Sequence, residues 1–366
     1  MLNLAIIGCG RISYKHVQAA VKNYASVRLT AVCDVIKDRA EKRAAEYADL
    51  VDEAGALPAV YEDYKKMLED ESLDLVAICT ESGFHADISI CCMKKGKHVI
   101  VEKPMALSTT DANEMIETAK ANNVKLCVSH QNRFNLPIQK LRRAIEDGSF
   151  GKIISGNARV LWNRGAEYYD QAPWRGTYEQ DGGCLMNQCI HNIDLLQWML
   201  GEEIEWIHAE VGNFIHPYIE AEDYGSIQIK FKNGAIGNVE GTVCVYPRNL
   251  EETLSIIGEK GTAVISGLAV NKIQTWRFED GDEAEKLVMA ECNREIDSVY
   301  GEGHSALYAD MISAIKNKRE PYINGEKGKK AMGIILAAYK SSEEGKRVNF
   351  PIENIKSTDF KKENQI

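Results

Sequence analysis

Leu2-Asn3-Leu4-Ala5-Ile6-Ile7-Gly8-Cys9-Gly10-Arg11-Ile12-Ser13 reads as a short apolar strand that stops at a glycine turn and opens a helix. That order of elements turns a bare Gly-x-Gly into a phosphate-binding turn. Gly8 allows the tight turn and Gly10 lets a ligand approach the backbone. A pyrophosphate can then rest on the helix N-terminus, with Arg11 and Ile12 leading into its first turn. Ser13 fills the third small position of the pattern. Asp34 closes the next apolar run, Leu29 to Cys33, where a carboxylate accepts from an adenosine ribose and repels a 2′-phosphate. The expected cofactor is therefore NAD rather than NADP.

Outward from this turn, residues 1–128 alternate β-branched runs with helical stretches: LTAVCD, LDLVAICT, HVIVEK and KLCVSH, separated by segments such as HADISICCMKKG. Alternation of that kind predicts βαβ units and a parallel sheet. After Gly151 the texture changes. Residues 152–162, 204–216, 224–232, 235–245, 253–257 and 262–266 read as longer strands, several with period-2 alternation, and Asn233-Gly234 and Gly258 to Gly261 carry turn chemistry. The expected fold is α/β: an N-terminal Rossmann parallel-sheet domain (1–128), then a C-terminal α/β domain (129–366) with a large, mostly antiparallel open sheet. Helices are expected near 183–200, 304–317 and 327–344.

The 366 residues are 45% hydrophobic and 27% charged, with a formal net charge of -10, as in a soluble globular chain long enough for two domains. The negative balance argues against nucleic acid and membrane surfaces as partners. The apolar stretch 332–339 is far short of the roughly 20 residues of a membrane helix. The first residues lack the basic start and cleavage site of a secretory signal. The ten cysteines lie mostly in apolar runs without a C-x-x-C array. They read as reduced core residues of a cytoplasmic protein, and no metal site is expected.

At Glu102-Lys103-Pro104 the sequence resembles the glucose–fructose oxidoreductase/inositol dehydrogenase/MocA family. Cys79-Thr80 through His85, Gly182-Gly183 through Asp194, and Gly303-His304 extend the resemblance over nearly the whole chain. It implies an NAD-dependent sugar dehydrogenase, active between its two domains and homo-oligomeric through the C-terminal sheet. Thr80, His85, Glu102, Lys103, Trp174 and Arg175 would line the cofactor. The residues support this independently. Lys103 follows a parallel strand, where open α/β sheets bind ligands. Asn187, His191 and Asp194, spaced i, i+4 and i+7, would project from one helix face. Oxidation of an alcohol needs a base near working pH and a cation at the oxygen. His191 suits the first role and Lys103 the second. Inositol-dehydrogenase-like members place Asp where Asn187 stands; Asn orients a hydroxyl but takes no proton. Asp194 either orients His191 or caps a neighbouring segment.

Residues 162–176, dense in aromatics and arginines, suit sugar faces, bases and anions. Arg164, Tyr168, Tyr169 and Asn187 are the expected substrate contacts, together with Arg133, which either binds substrate or pairs with an acidic neighbour. The resemblance is strongest to enzymes that oxidise pyranose rings at C3, either UDP-N-acetylhexosamines and hexosaminuronates or glycosides. Inositol or another polyol is the alternative substrate, and a non-catalytic nucleotide-sensing regulator is the alternative of another class.

Overall fold

The structure is a computed structural model that describes residues 1–51, 56–279, 281–293 and 301–361. Contacts divide it into two compact units, one of Met1–Ala106, Thr110–Gln131 and Glu302–Lys329, the other of Leu107–Thr109, Asn132–Gly301 and Lys330–Ile366. The division is not a single cut in the chain, because residues 302–329 return to the first unit.

In the first unit, β1 (Leu2–Ile7), β2 (Val27–Cys33), β3 (Ala59–Tyr61), β4 (Leu75–Ile78), β5 (His98–Val101) and β6 (Leu126–Val128) form one sheet ordered β3-β2-β1-β4-β5-β6. Every pairing is parallel. Parallel strands are packed on both faces, so β4 and β6 are buried at every position and read as continuous apolar runs. Strand order reverses between β1 and β4, which is where a Rossmann sheet opens its ligand crevice. The helix Gly303–Lys316 packs on the helix Ser13–Lys22. The helix begins at Gly303, where a Cβ would run into the carbonyl of Gln131.

The second unit holds β7 (Ile153–Leu161), β8 (Ile204–Gly212), β9 (Tyr224–Phe231), β10 (Ile236–Thr242), β11 (Glu251–Gly258), β12 (Thr262–Ser266), β13 (Lys272–Arg277) and β14 (Val348–Asn349). Their order is β13-β12-β11-β7-β10-β9-β8-β14, antiparallel except for the parallel pair β7 and β10. Strands such as β9 bury alternate residues, as expected when only one face meets the core. Asn233-Gly234 joins β9 to β10 with Gly234 at φ +94°, and Gly258 donates to the Gly261 carbonyl at 2.8 Å between β11 and β12. The helices Leu136–Glu146 and Gly281–Cys292 and the edge strands β13 and β14 lie outside the expectations drawn from the sequence. All ten cysteines are free and eight are buried; burial pushes the Cys9 and Cys33 thiols up to about 12. Among the described residues no helix is long and apolar enough to cross a membrane.

Candidate active site

In the first unit the glycine turn has the shape the motif requires. Gly8 sits at φ +87°, and a Cβ there would lie 2.6 Å from Cys79 C and Thr80 N, so only glycine lets β1 and β4 end side by side. A Cβ on Gly10 would meet nothing within 4 Å, which leaves an open cradle over the backbone where a pyrophosphate fits. The Cys9 N–H donates to Asp34 Oδ2 at 2.7 Å and the Ile36 N–H to Asp34 Oδ1 at 2.8 Å, fixing that carboxylate beside the turn. Ser13 Oγ donates to the Gly10 carbonyl at 2.7 Å and accepts from Arg43 Nε at 2.9 Å, work a third glycine could not do. Arg11 is exposed, while Ile12, Thr80 and Lys103 are half-buried.

Two residues expected against the cofactor are instead supports. His85 is 1% exposed, its Nδ1 2.7 Å from the Pro104 carbonyl and its Nε2 3.0 Å from the Thr80 carbonyl. Burial pulls its pKa below the ordinary value, so the neutral ring donates to one carbonyl at a time and staples the Thr80 segment to the Lys103 segment. Glu102 points into the core, where its Oε1 accepts from His16 Nε2 at 3.0 Å and from His304 Nε2 at 3.3 Å. Tyr308 Oη lies 2.9 Å from His16 Nδ1, so the hydroxyl donates and the ring passes its Nε2–H to the carboxylate. Burial alone would push Glu102 up. The two histidine hydrogen bonds outweigh it and hold the carboxyl well below the usual range. His16, Glu102 and His304 could also offer three ligand atoms to a metal, but the hydrogen bonds account for their arrangement.

In the second unit the helix that carries Asn187 and His191 starts at Gly182 and Gly183, at φ +83° and +93°. A Cβ on Gly183 would collide with the Glu222 carboxyl. Glu222 Oε1 accepts from the Leu185 N–H at 2.8 Å and from Tyr339 Oη at 3.0 Å, and the same hydroxyl contacts the Gly182 carbonyl. Burial pushes Glu222 up to about 8 against those hydrogen bonds, and its Oε2 has no hydrogen-bond partner. Residues Leu185–Cys189 form a π turn before the α-helix Ile190–Leu200. Gly225 and Gly241 face each other across β9 and β10, and their absent side chains make the notch that seats Leu185 and Cys189.

The wider turn breaks the expected grouping on one helix face. Asn187, Gln188 and His191 are half-buried, whereas Asp194 is 0% exposed and bound bidentately by Arg133, Nε to Oδ2 at 2.7 Å and Nη2 to Oδ1 at 2.6 Å. Asp194 thus serves a buried ion pair rather than the chemistry. Arg133, 1% exposed and stacked 4.8 Å from the Trp198 ring, pairs with its acidic neighbour rather than with substrate. Tyr169 is likewise a packing residue, buried against Tyr168, His216 and Tyr218.

The rest of the 162–176 segment forms a stack. The Arg164 guanidinium lies 4.7 Å from the Trp162 ring and 5.3 Å from that of Tyr168; Arg175 lies 4.1 Å from Tyr168 and 4.7 Å from Trp174. Gln188 Nε2 donates to Tyr168 Oη at 2.9 Å, joining this stack to the π turn. His216 anchors the segment from below, its Nε2 2.8 Å from the Arg164 carbonyl and its Nδ1 2.8 Å from Asp223. Asp181, Gln188, Glu222 and Tyr339 went unread in the sequence. Asp181 adjoins the Gly182-Gly183 signal; Glu222 and Tyr339 carry no local signal.

A glycine-turn nucleotide crevice in one unit, with a helix carrying Asn187 and His191 and a cation–ring stack in the other, is the arrangement of a nicotinamide-dependent oxidoreductase class. Residues 2–130 match the family model "Oxidoreductase family, NAD-binding Rossmann fold", and residues 138–264 match "GFO/IDH/MocA C-terminal domain". The chain belongs to the Gfo/Idh/MocA family and is an NAD-binding sugar or polyol oxidoreductase. Myo-inositol 2-dehydrogenase of Thermotoga maritima is 27% identical over 354 residues, covering 95% of this chain and 98% of the relative. D-glucoside 3-dehydrogenase of Escherichia coli is 26% identical over 369 residues, covering 95% and 97%. Among solved structures, the WlbA dehydrogenase of Bordetella pertussis in complex with NADH and UDP-GlcNAcA is 32% identical, with a TM-score of 0.83 over 96% of this chain and 99% of that one.

Proposed function

We propose that the chain oxidises a ring secondary hydroxyl, at C3, of a UDP-linked N-acetylhexosamine or its uronate to the ketosugar. The Trp162, Arg164, Tyr168, Arg175 and Trp174 stack carries this reading, because two guanidiniums interleaved with rings suit a ligand that is both anionic and flat-faced. The likeness to the UDP-GlcNAcA-bound dehydrogenase supports it. NAD, held by Gly8, Gly10 and Asp34, supplies the hydride acceptor when bound. His191 takes the hydroxyl proton, Lys103 provides the cation at the oxygen, and Asn187 orients a neighbouring hydroxyl. The ketone, NADH and one proton are the products.

The test is to incubate the protein and NAD⁺ with UDP-N-acetylglucosamine, its uronate, glucose, a glucoside and myo-inositol, and to locate any carbonyl by NMR. A C3 ketone on a UDP-sugar is the expected result. Oxidation of inositol alone overturns the reading, and oxidation of the glucoside alone replaces the nucleotide sugar with a glycoside.

A further inference from the structure

We propose that Asp181 is the positioning residue of this site: its carboxylate orients the amide of Asn187 and supplies, one step back from the helix, the negative charge that a carboxylate at 187 would carry. The inference rests on the function proposed above. Asp181 is 3% exposed and receives the Asn187 Nδ2–H on Oδ1 and the Gly176 N–H on Oδ2 at 2.7 Å. An ionised carboxylate only accepts, so the Asn187 atom that faces it must be the nitrogen. Asn187 Oδ1 then faces the other way and accepts from Gln188 Nε2 at 3.0 Å, and the same Gln188 nitrogen donates to Tyr168 Oη.

One carboxylate therefore sets the polarity of a chain from Asp181 through Asn187 and Gln188 to Tyr168, and fixes the end of the arginine-rich segment at Gly176. Asp181 acts through Asn187. Its charge acts in this unit on Tyr168, Tyr169 and Glu222, while Arg175 lies over the Tyr168 ring and His191 follows Asn187 along the chain.

The arrangement excludes a second carboxylate. Asn187→Asp brings two acceptors into hydrogen-bond contact, so one must hold a proton. Asp181→Asn leaves one acceptor for two donors, so its amide nitrogen faces either the Gly176 N–H or the Asn187 amide nitrogen, and the second clash is relieved only if Asn187 and Gln188 both flip. The exchange Asp181→Asn with Asn187→Asp restores the contact in reverse order, because the amide now at position 181 donates to the carboxylate now at position 187, which still accepts from Gln188.

The experiment is this four-member cycle, read by NAD⁺-dependent turnover of UDP-GlcNAcA across pH 5–9 and by thermal unfolding over the same range. Each single variant should lose about tenfold or more in kcat/KM. The exchange should recover at least half of that loss on a logarithmic scale, with a pH profile of kcat displaced from wild type by the new carboxylate. Asn187→Asp alone should lose stability as pH rises, and the exchange should not. If wild type turns over no UDP-sugar, the proposed substrate fails, and the unfolding cycle still judges the pairing. Additive effects in both readouts, or a fully active and stable Asn187→Asp, would overturn it.

Discussion

Glu102 and Glu222 are buried carboxyls set under the two segments expected to carry the chemistry, and they have opposite charge states. Glu102 lies one residue before Lys103 and accepts from two histidines, which keeps it anionic. Glu222 lies under the Gly182–Gly183 turn that leads to His191, has one oxygen unpartnered, and is pushed up to about 8. Burial is shared; the kind of neighbour decides, two imidazoles at Glu102 against a backbone N–H, a phenol and the Asp181 carboxylate at Glu222. One carboxyl is a charged keystone between two helices, and the other, pushed toward the neutral acid, fills the place of the missing Gly183 Cβ.

Glu102→Ala should break that comparison most severely. It removes the acceptor of two buried imidazoles, which should cost about 3–5 kcal/mol in denaturant unfolding, as for other buried pairs that lose one partner. Glu222→Gln, isosteric with the protonated acid, should change the same measurement by less than about 1 kcal/mol at pH 7. Equal losses in the two variants would show that both carboxyls are charged.

Removing the chemistry above each support should have the complementary signature. Lys103→Met and His191→Ala should each lower kcat at least about a hundredfold, equivalent to roughly 2.7 kcal/mol, with little change in unfolding or in NAD affinity measured by calorimetry. Near-normal turnover in either variant removes that residue from the mechanism.

The pH dependence of stability should separate the two carboxyls by sign. Glu102, depressed in the fold, contributes stability above its unfolded value near 4.5 that is lost as pH falls through its folded value. Glu222, raised, contributes stability that is complete below 4.5 and lost as pH rises through about 8. Glu252, also buried and raised to about 8, acts in the same direction. Melting temperature should therefore fall by several degrees between pH 5 and 8.5, and Glu222→Gln should flatten that limb. An unchanged slope would show that Glu222 is not its source.

The smallest effect concerns Asp34, whose oxygens are already held by two backbone N–H groups. Asp34→Ala should reduce the preference for NAD over NADP about tenfold, read as the ratio of kcat/KM values. Equal or better binding of NADP by wild type would refute its assignment.

Much of this was legible in the sequence where the constraint is local. The β1 turn was readable because Gly8 must adopt a positive φ and Gly10 must leave its cradle open, and both requirements act on adjacent residues. The second sheet was readable because period-2 burial repeats within each strand and Asn233-Gly234 marks its own turn. The π turn was not: an i, i+4, i+7 pattern assumes 3.6 residues per turn, and the wider turn at 185–189 appears only when Gly225 and Gly241 offer a notch from two other strands.

The sequence by itself determined the parallel-sheet fold, the nucleotide turn, the antiparallel texture of the second unit and the residues worth suspecting, since periodicity, glycine conformation and motif spacing are properties of neighbours along the chain. Only the tertiary structure decided what the suspects do. Arg133 meets Asp194 across 61 residues, His16 meets Glu102 across 86 and His304 meets it across 202, so each found its partner through packing that no local pattern encodes. A buried charge takes its role from whichever group neutralises it, and at those separations the fold chooses the group.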